Sequence, residues 1–111
     1  MDAPGRRAER RAARWYRLRG YRVLARNAWA AGYELDLVLR RGRRLVFCEV
    51  KEKTGEGFGQ PEEMVDGEKQ RRLRRAAAAW LAQNGGAAGL TVSFDVMAVR
   101  GRRLRRIAQA F

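Results

Sequence analysis

Apolar residues recur along this chain with two different periods, and the change of period marks its elements. Over residues 5–19, "GRRAERRAARWYRLR", Ala8, Ala12, Trp15 and Tyr16 fall at helical spacing with arginines opposite, which predicts a helix closed by Gly20. "YRVLAR", 21–26, reads as a short strand with Tyr21, Val23 and Ala25 on one face, and "NAWAAG" as the connection that follows. Residues 32–53, "GYELDLVLRRGRRLVFCEVKEK", hold two apolar runs around a basic turn. They predict a β-hairpin turning at Gly42 and Arg43, a Gly-first pair suited to a type II′ turn. The stretch 54–69, rich in glycine and charge, reads as a long loop of the kind that often carries function. From about Asp66 to Asn84 the stripe Leu73, Ala76, Ala77, Trp80 and Leu81 predicts a second helix with "RRLRR" as its basic face and "NGG" as its close. "LTVSFDVMAV", 90–99, alternates as a strand, and "RGRR" turns into "LRRIAQAF", a short final strand or tail. Helix, three strands, helix and strand indicate one α/β domain over 1–111, with a mixed sheet flanked by helices.

The hairpin carries charges where a structural strand would place Val or Thr. With the turn at Gly42 and Arg43, Asp36 falls opposite Glu49 and Glu34 opposite Lys51, so the four share one face of the sheet. The other face, Leu35, Leu37, Leu39, Val46, Cys48 and Val50, is apolar and is expected to pack on a helix. A one-residue slip in pairing would scatter the cluster. Facing carboxylates have Cβ atoms about 5 Å apart and repel, so a cation must stand between them: a divalent metal, an arginine or a shared proton. Magnesium suits such oxygen donors, whereas a chain with no histidine and one cysteine does not offer a zinc site. Glu9, at the edge of the first helix's apolar stripe, reads by itself as a helix-surface acid with arginine neighbours one and five residues on. A Glu-x-Lys on a strand is by itself more often a solvated ion pair; the opposing Asp36 and the additional Glu34 set this one apart. Trp15, Tyr16 and Trp80 fit apolar stripes and read as core. "RRLRR" reads as a solvated face unless it lies beside the carboxylates.

Charge adds a partner class. Twenty-five basic residues against 12 acidic ones give a net charge of +13, the footprint of a protein that meets polyanions, nucleic acid first and an anionic membrane or ribosome after it. No apolar run approaches the roughly 20 residues of a membrane span, and no secretory h-region is present. The lone Cys48 cannot form an internal disulfide, which points to a reducing cytoplasm.

Taken in order, "GRRAE" with Glu9, "GYRVLARN", "GYELDLV", "VFCEVKEK", Phe58 with Gly59, Lys69, "FDV" and the terminal "AF" resemble the PD-(D/E)XK nuclease superfamily and its α-β-β-β-α-β, restriction-endonuclease-like core. More closely, they resemble the YraN-like uncharacterised bacterial family, whose members are similar to archaeal Holliday junction resolvases. Leu35 stands where the superfamily's name has Pro, and Glu52 and Lys53 stand where relatives more often carry Thr and Arg. The resemblance implies a metal-dependent endonuclease acting on branched or structured DNA, using Mg²⁺ or Mn²⁺. Asp36, Glu49, the Val50 carbonyl and Glu9 would hold the metal. Lys51 would position the attacking water and stabilise charge on the phosphate. Glu34 and Lys69 would support the site, and Lys53, Arg71, Arg72, Arg74 and Arg75 would contact nucleic acid. Because a junction offers two related strands, a homodimer is expected. The competing expectation is a nucleic-acid-binding module that keeps the fold without cutting, with a ribosome-associated role weaker still.

Overall fold

The computed structural model describes residues 5–53 and 65–111. Helix α1 (Arg6–Arg17) buries Ala8, Ala12, Ala13 and Tyr16 along one stripe, and its small side chains let the helix lie close to the sheet beneath. Strands β1 (Arg22–Ala30), β2 (Tyr33–Arg41) and β3 (Arg44–Glu52) follow. Helix α2 (Gly67–Gln83) then leads to β4 (Thr91–Arg100) and β5 (Arg103–Ile107). The sheet has the order β1-β2-β3-β4-β5. Among the described residues, only β3 and β4 pair in parallel. A parallel pair needs a crossover rather than a tight turn, and α2 lies in the connection between these two strands. Among the described residues, no helix is long and apolar enough to cross a membrane.

Alternation along β3 and β4 divides the core into two layers. Val46, Cys48, Met97 and Val99 pack with α1, while Leu45, Phe47, Phe94, Val96 and Ala98 pack with α2. This is the mixed sheet flanked by helices that the periodicities predict. The hairpin turn is also as expected: Gly42 has φ +60 and the ladder closes on Arg41 opposite Arg44, leaving a two-residue turn. Asp66 caps α2 by accepting the Lys69 N–H at 2.9 Å. Residues 54–64 of the expected loop, Phe58 and Gly59 among them, lie outside the described residues. The rest of it, 65–69, is buried Val65, the cap and the first turn of α2.

Two expectations are corrected. "NAWAAG" is not simply a connector, because β1 continues to Ala30 and pairs with β2 through Ala30 opposite Tyr33. Nor do Leu35, Leu37 and Leu39 share one face. Leu35 packs in the α2 layer and Leu37 and Leu39 in the α1 layer. The alternation of β2 therefore turns over at Asp36, across from Asn27, whose φ of +52 breaks the regularity of β1. Asparagine is among the few non-glycine residues that enter this region readily.

One fully buried carboxylate ties the last strand to the first helix. Asp95 accepts from the Tyr16 hydroxyl at 2.7 Å, from Arg106 Nε at 2.8 Å and from the Gln109 backbone N–H at 3.2 Å. The Arg106 guanidinium lies 5.6 Å from the Tyr16 ring centre and 5.9 Å from that of Tyr21. Past β5, Phe111 stacks on Phe94 with ring centres 5.0 Å apart.

Cys48 sits beneath this network. Burial pushes its thiol above the usual cysteine range, and 3% of its surface is exposed. A thiol reagent is expected to label the native protein roughly 10³-fold or more slowly than the urea-unfolded chain, because labelling must wait for an opening comparable to global unfolding. Ellman kinetics with and without denaturant check this; equal rates would contradict it.

Candidate functional site

The expected carboxylates come from α1, β2 and β3, and the sheet itself opens where they meet. Pairing of β2 with β3 runs from Arg41 opposite Arg44 to Leu37 opposite Cys48 and stops there. Beyond this point β2 stays with β1, with Ala28 opposite Leu35 and Trp29 opposite Glu34, while β3 stays with β4 from Glu49 to Glu52. The sheet forks. Asp36 stands at the fork, and its Oδ2 accepts the Val50 N–H at 2.9 Å, where a ladder carbonyl would otherwise serve. Continuation of the ladder through Asp36–Glu49 and Glu34–Lys51, expected from the turn, is therefore replaced by a cleft with these residues on its walls.

On one wall, the carboxylate oxygens of Glu9, Glu34 and Asp36 lie within 4.8 Å of one another. Glu9 is buried at the positive end of α1. Arg6 Nη1 lies 3.3 Å from Glu9 and 3.9 Å from Glu34, so an arginine stands beside these two acids rather than between Asp36 and Glu49. Glu34, expected to play a supporting part, stands within the carboxylate trio itself. On the other wall are Glu49, Lys51 and Lys69. Lys51 Nζ lies 3.6 Å from Glu49 Oε1. Glu49 Oε2 is buried with no hydrogen-bond donor among the described residues; a proton shared with Asp36 or a cation would satisfy it.

Proton affinities follow from this crowding. Burial, then the charge of Glu49, push Asp36 up to about 8, with Glu9 and Glu34 adding and the Val50 N–H opposing. Burial also raises Glu49, against the pull of Lys51 and Lys69. For Lys51, burial acts downward, but Lys69, Glu49, Tyr33 and Asp36 together hold its ammonium above the ordinary lysine range. Lys69 is lowered because Lys51 is beside it. Together these describe a site short of positive charge at neutral pH. Its donor set, carboxylates with a strand carbonyl at Val50, is the all-oxygen chemistry of a hard divalent cation.

The basic residues expected to meet nucleic acid divide. Arg72 is exposed, pairs with Glu68 at 2.6 Å and is felt by Tyr33 at the cleft. Arg74 instead lies over Phe94 and Phe111, 5.2 and 5.5 Å from their ring centres. Arg71 and Arg75 are exposed on α2. Lys53 lies on the far side of α1, in a separate cavity described below. Sequence reasoning missed Arg6, Tyr33 and Asn27. Burial followed by the charge of Glu49 raises Tyr33, which places it by the second wall. Arg6 was findable, since it stands three residues before Glu9, where helix neighbours meet. Nothing local distinguishes Tyr33.

Comparison with known proteins agrees in extent with this architecture. The model of the family described as "Uncharacterised protein family UPF0102" matches residues 8–99, from α1 through nearly all of β4. A UPF0102 protein of Moorella thermoacetica is 45% identical over 89 residues, covering 80% of this chain and 73% of its own. One from Frankia alni is 48% identical over 98 residues, covering 88% and 81%. One from Bordetella avium is 42% identical over 109 residues, covering 98% and 74%.

Proposed function

We propose, from the premise that the chain belongs to the uncharacterised family UPF0102, that it is a divalent-metal-dependent endonuclease of the PD-(D/E)XK kind acting on branched or structured DNA. The observation that carries this reading is the fork: Asp36 holds it open through Val50, and Glu49 is buried with one oxygen lacking a donor. Strands that separate only to bury mutually repelling acids would be costly without a ligand that needs them.

Asp36, Glu9, Glu34, Glu49 and the Val50 carbonyl are the groups available to hold Mg²⁺ or Mn²⁺. When bound, the ion supplies a Lewis acid toward a phosphoryl oxygen and eases deprotonation of the attacking water. Lys51 keeps its proton and presents an ammonium to the phosphate, where charge builds in the transition state. Lys69, beside Lys51, releases its proton more readily than an isolated lysine. Glu49 holds the Lys51 ammonium in place. No covalent intermediate is required. Two related strands of a junction call for two copies of the chain working together.

Incubation with four-way junctions and linear duplexes in Mg²⁺ tests the proposal. Cleavage is expected from the wild type and a fall of about 10²- to 10³-fold from Lys51→Ala. Equal cleavage by that variant would point to a contaminating nuclease and sink the assignment. A second reading, a binding module that does not cut, is favoured by Arg6, which already neutralises Glu9 and Glu34. Junction binding without cleavage in any divalent metal would select it.

A further inference from the structure

On the other flank of α1 lies a cavity of about 520 Å³ lined by Arg7, Arg11, Lys53 and Arg102, with Glu52 as the one acid among its described lining residues. At 100° per residue, Arg7 and Glu9 lie on opposite flanks of buried Ala8, so α1 separates this cavity from the carboxylate cleft. Its floor is built. Arg11 Nη1 donates to the Gly101 carbonyl in the β4–β5 turn, and the Lys53 N–H donates to the Val99 carbonyl at 2.7 Å. Among the described residues, no acidic side chain forms an ion pair with Arg7, Lys53 or Arg102, and Glu52 offsets only one of the four charges. Among the described residues the lining holds no aromatic ring, so these residues offer cations to an anion and no platform to a base. Lys53 follows Lys51 by two residues, about 7 Å along the strand. The cavity and the cleft are thus within reach of one polymeric anion.

We infer that this cavity is a phosphate-binding site for the sugar-phosphate backbone of a polynucleotide, seating a phosphodiester away from the one at the cleft and without regard to base sequence. The polynucleotide's identity rests on the nuclease reading; the anion site rests on the cavity alone. Its volume exceeds what a lone phosphate needs and suits a nucleotide-sized unit. Arg7 and Arg102 are exposed and carry no packing role, so the cavity's charge can be changed without disturbing the core.

The test is binding of a fluorescein-labelled single-stranded oligonucleotide, followed by anisotropy in chelator across a salt series. Arg7→Gln with Arg102→Gln is expected to weaken binding by about tenfold near 0.1 M salt and to reduce the steepness of the salt dependence by about two contacts. The control, Arg22→Gln with Arg26→Gln on exposed β1 positions, removes the same charge elsewhere. An equal loss in the control would overturn the inference, since net charge alone would then explain it. Unchanged binding in the cavity variant would overturn it too. Displacement of the oligonucleotide by phosphatidylserine vesicles, with the cavity variant insensitive, would reassign the site to a lipid headgroup. Wild-type cleavage is read separately: binding through the cavity without cleavage fails the nuclease reading alone, and cleavage with an unaffected cavity variant fails the cavity alone.

Discussion

Replacing Asp36 with asparagine is expected to stabilise the metal-free protein while abolishing metal-dependent cleavage, a pairing that separates a ligand site from a structural one. In the folded chain Asp36 is pushed up to about 8, against about 3.9 when unfolded. Between these values the native state binds a proton that the unfolded state does not, so stability falls as pH rises through this window. Below it both states are protonated and the residue contributes nothing. Asparagine cannot ionise, and its amide oxygen can still accept the Val50 N–H. At pH 8 in chelator the variant should gain on the order of 2 kcal/mol, roughly 8 °C in Tm, part of the full penalty remaining with Glu49. Near pH 4 the two proteins should melt alike. Mg²⁺ should narrow the gap at pH 8, because a cation takes the place of the proton in the wild type. Cleavage should fall by about 10³-fold or more. Thermal melts across pH check the first half; a variant less stable than wild type at pH 8 would contradict it.

The second large effect lies away from the cleft. Asp95→Ala is expected to cost about 3–5 kcal/mol, because it leaves the Arg106 guanidinium without its carboxylate, the Gln109 N–H without its acceptor and the Tyr16 hydroxyl with only the weak acceptor Cys48 Sγ. Against a total of about 5–15 kcal/mol for a domain, that is enough to unfold a substantial fraction at physiological temperature. Urea denaturation measures the loss. Removing both charges, with Asp95→Leu and Arg106→Met together, should recover part of it, since the expense lies in breaking the pair rather than lacking it. An Asp95→Ala protein as stable as wild type would show that Asp95 is not what fastens β5 to α1.

These two carboxylates also show what the sequence could reveal. Helical spacing of Ala8, Ala12 and Tyr16, strand alternation in 90–99 and the glycine at 42 are local signals, and the elements they predict are present. So is the gathering of Glu9, Glu34, Asp36 and Glu49 near one another, because neighbouring strands and the covering helix leave them few other places. The fork was not legible: it depends on β2 keeping β1 and β3 keeping β4 once Asp36 takes the Val50 N–H, a competition between partners distant in sequence. Continuation of β1 through "NAWA" was hidden for the same reason, since Asn and a run of small residues look like a connector until β2 pairs with them. Asp95 stood apart from every acidic cluster. Its partners, Tyr16 and Arg106, lie 79 and 11 residues away, and only the packed sheet brings them together.

The proposed nuclease site requires the fork's carboxylates to hold a divalent cation. Calorimetric titration of Mn²⁺ into the metal-free protein at neutral pH tests it without requiring any substrate. Saturable binding near one ion per chain, with release of protons and with loss in Asp36→Asn, is the predicted result. No saturable binding, or binding that Asp36→Asn leaves unchanged, would contradict it.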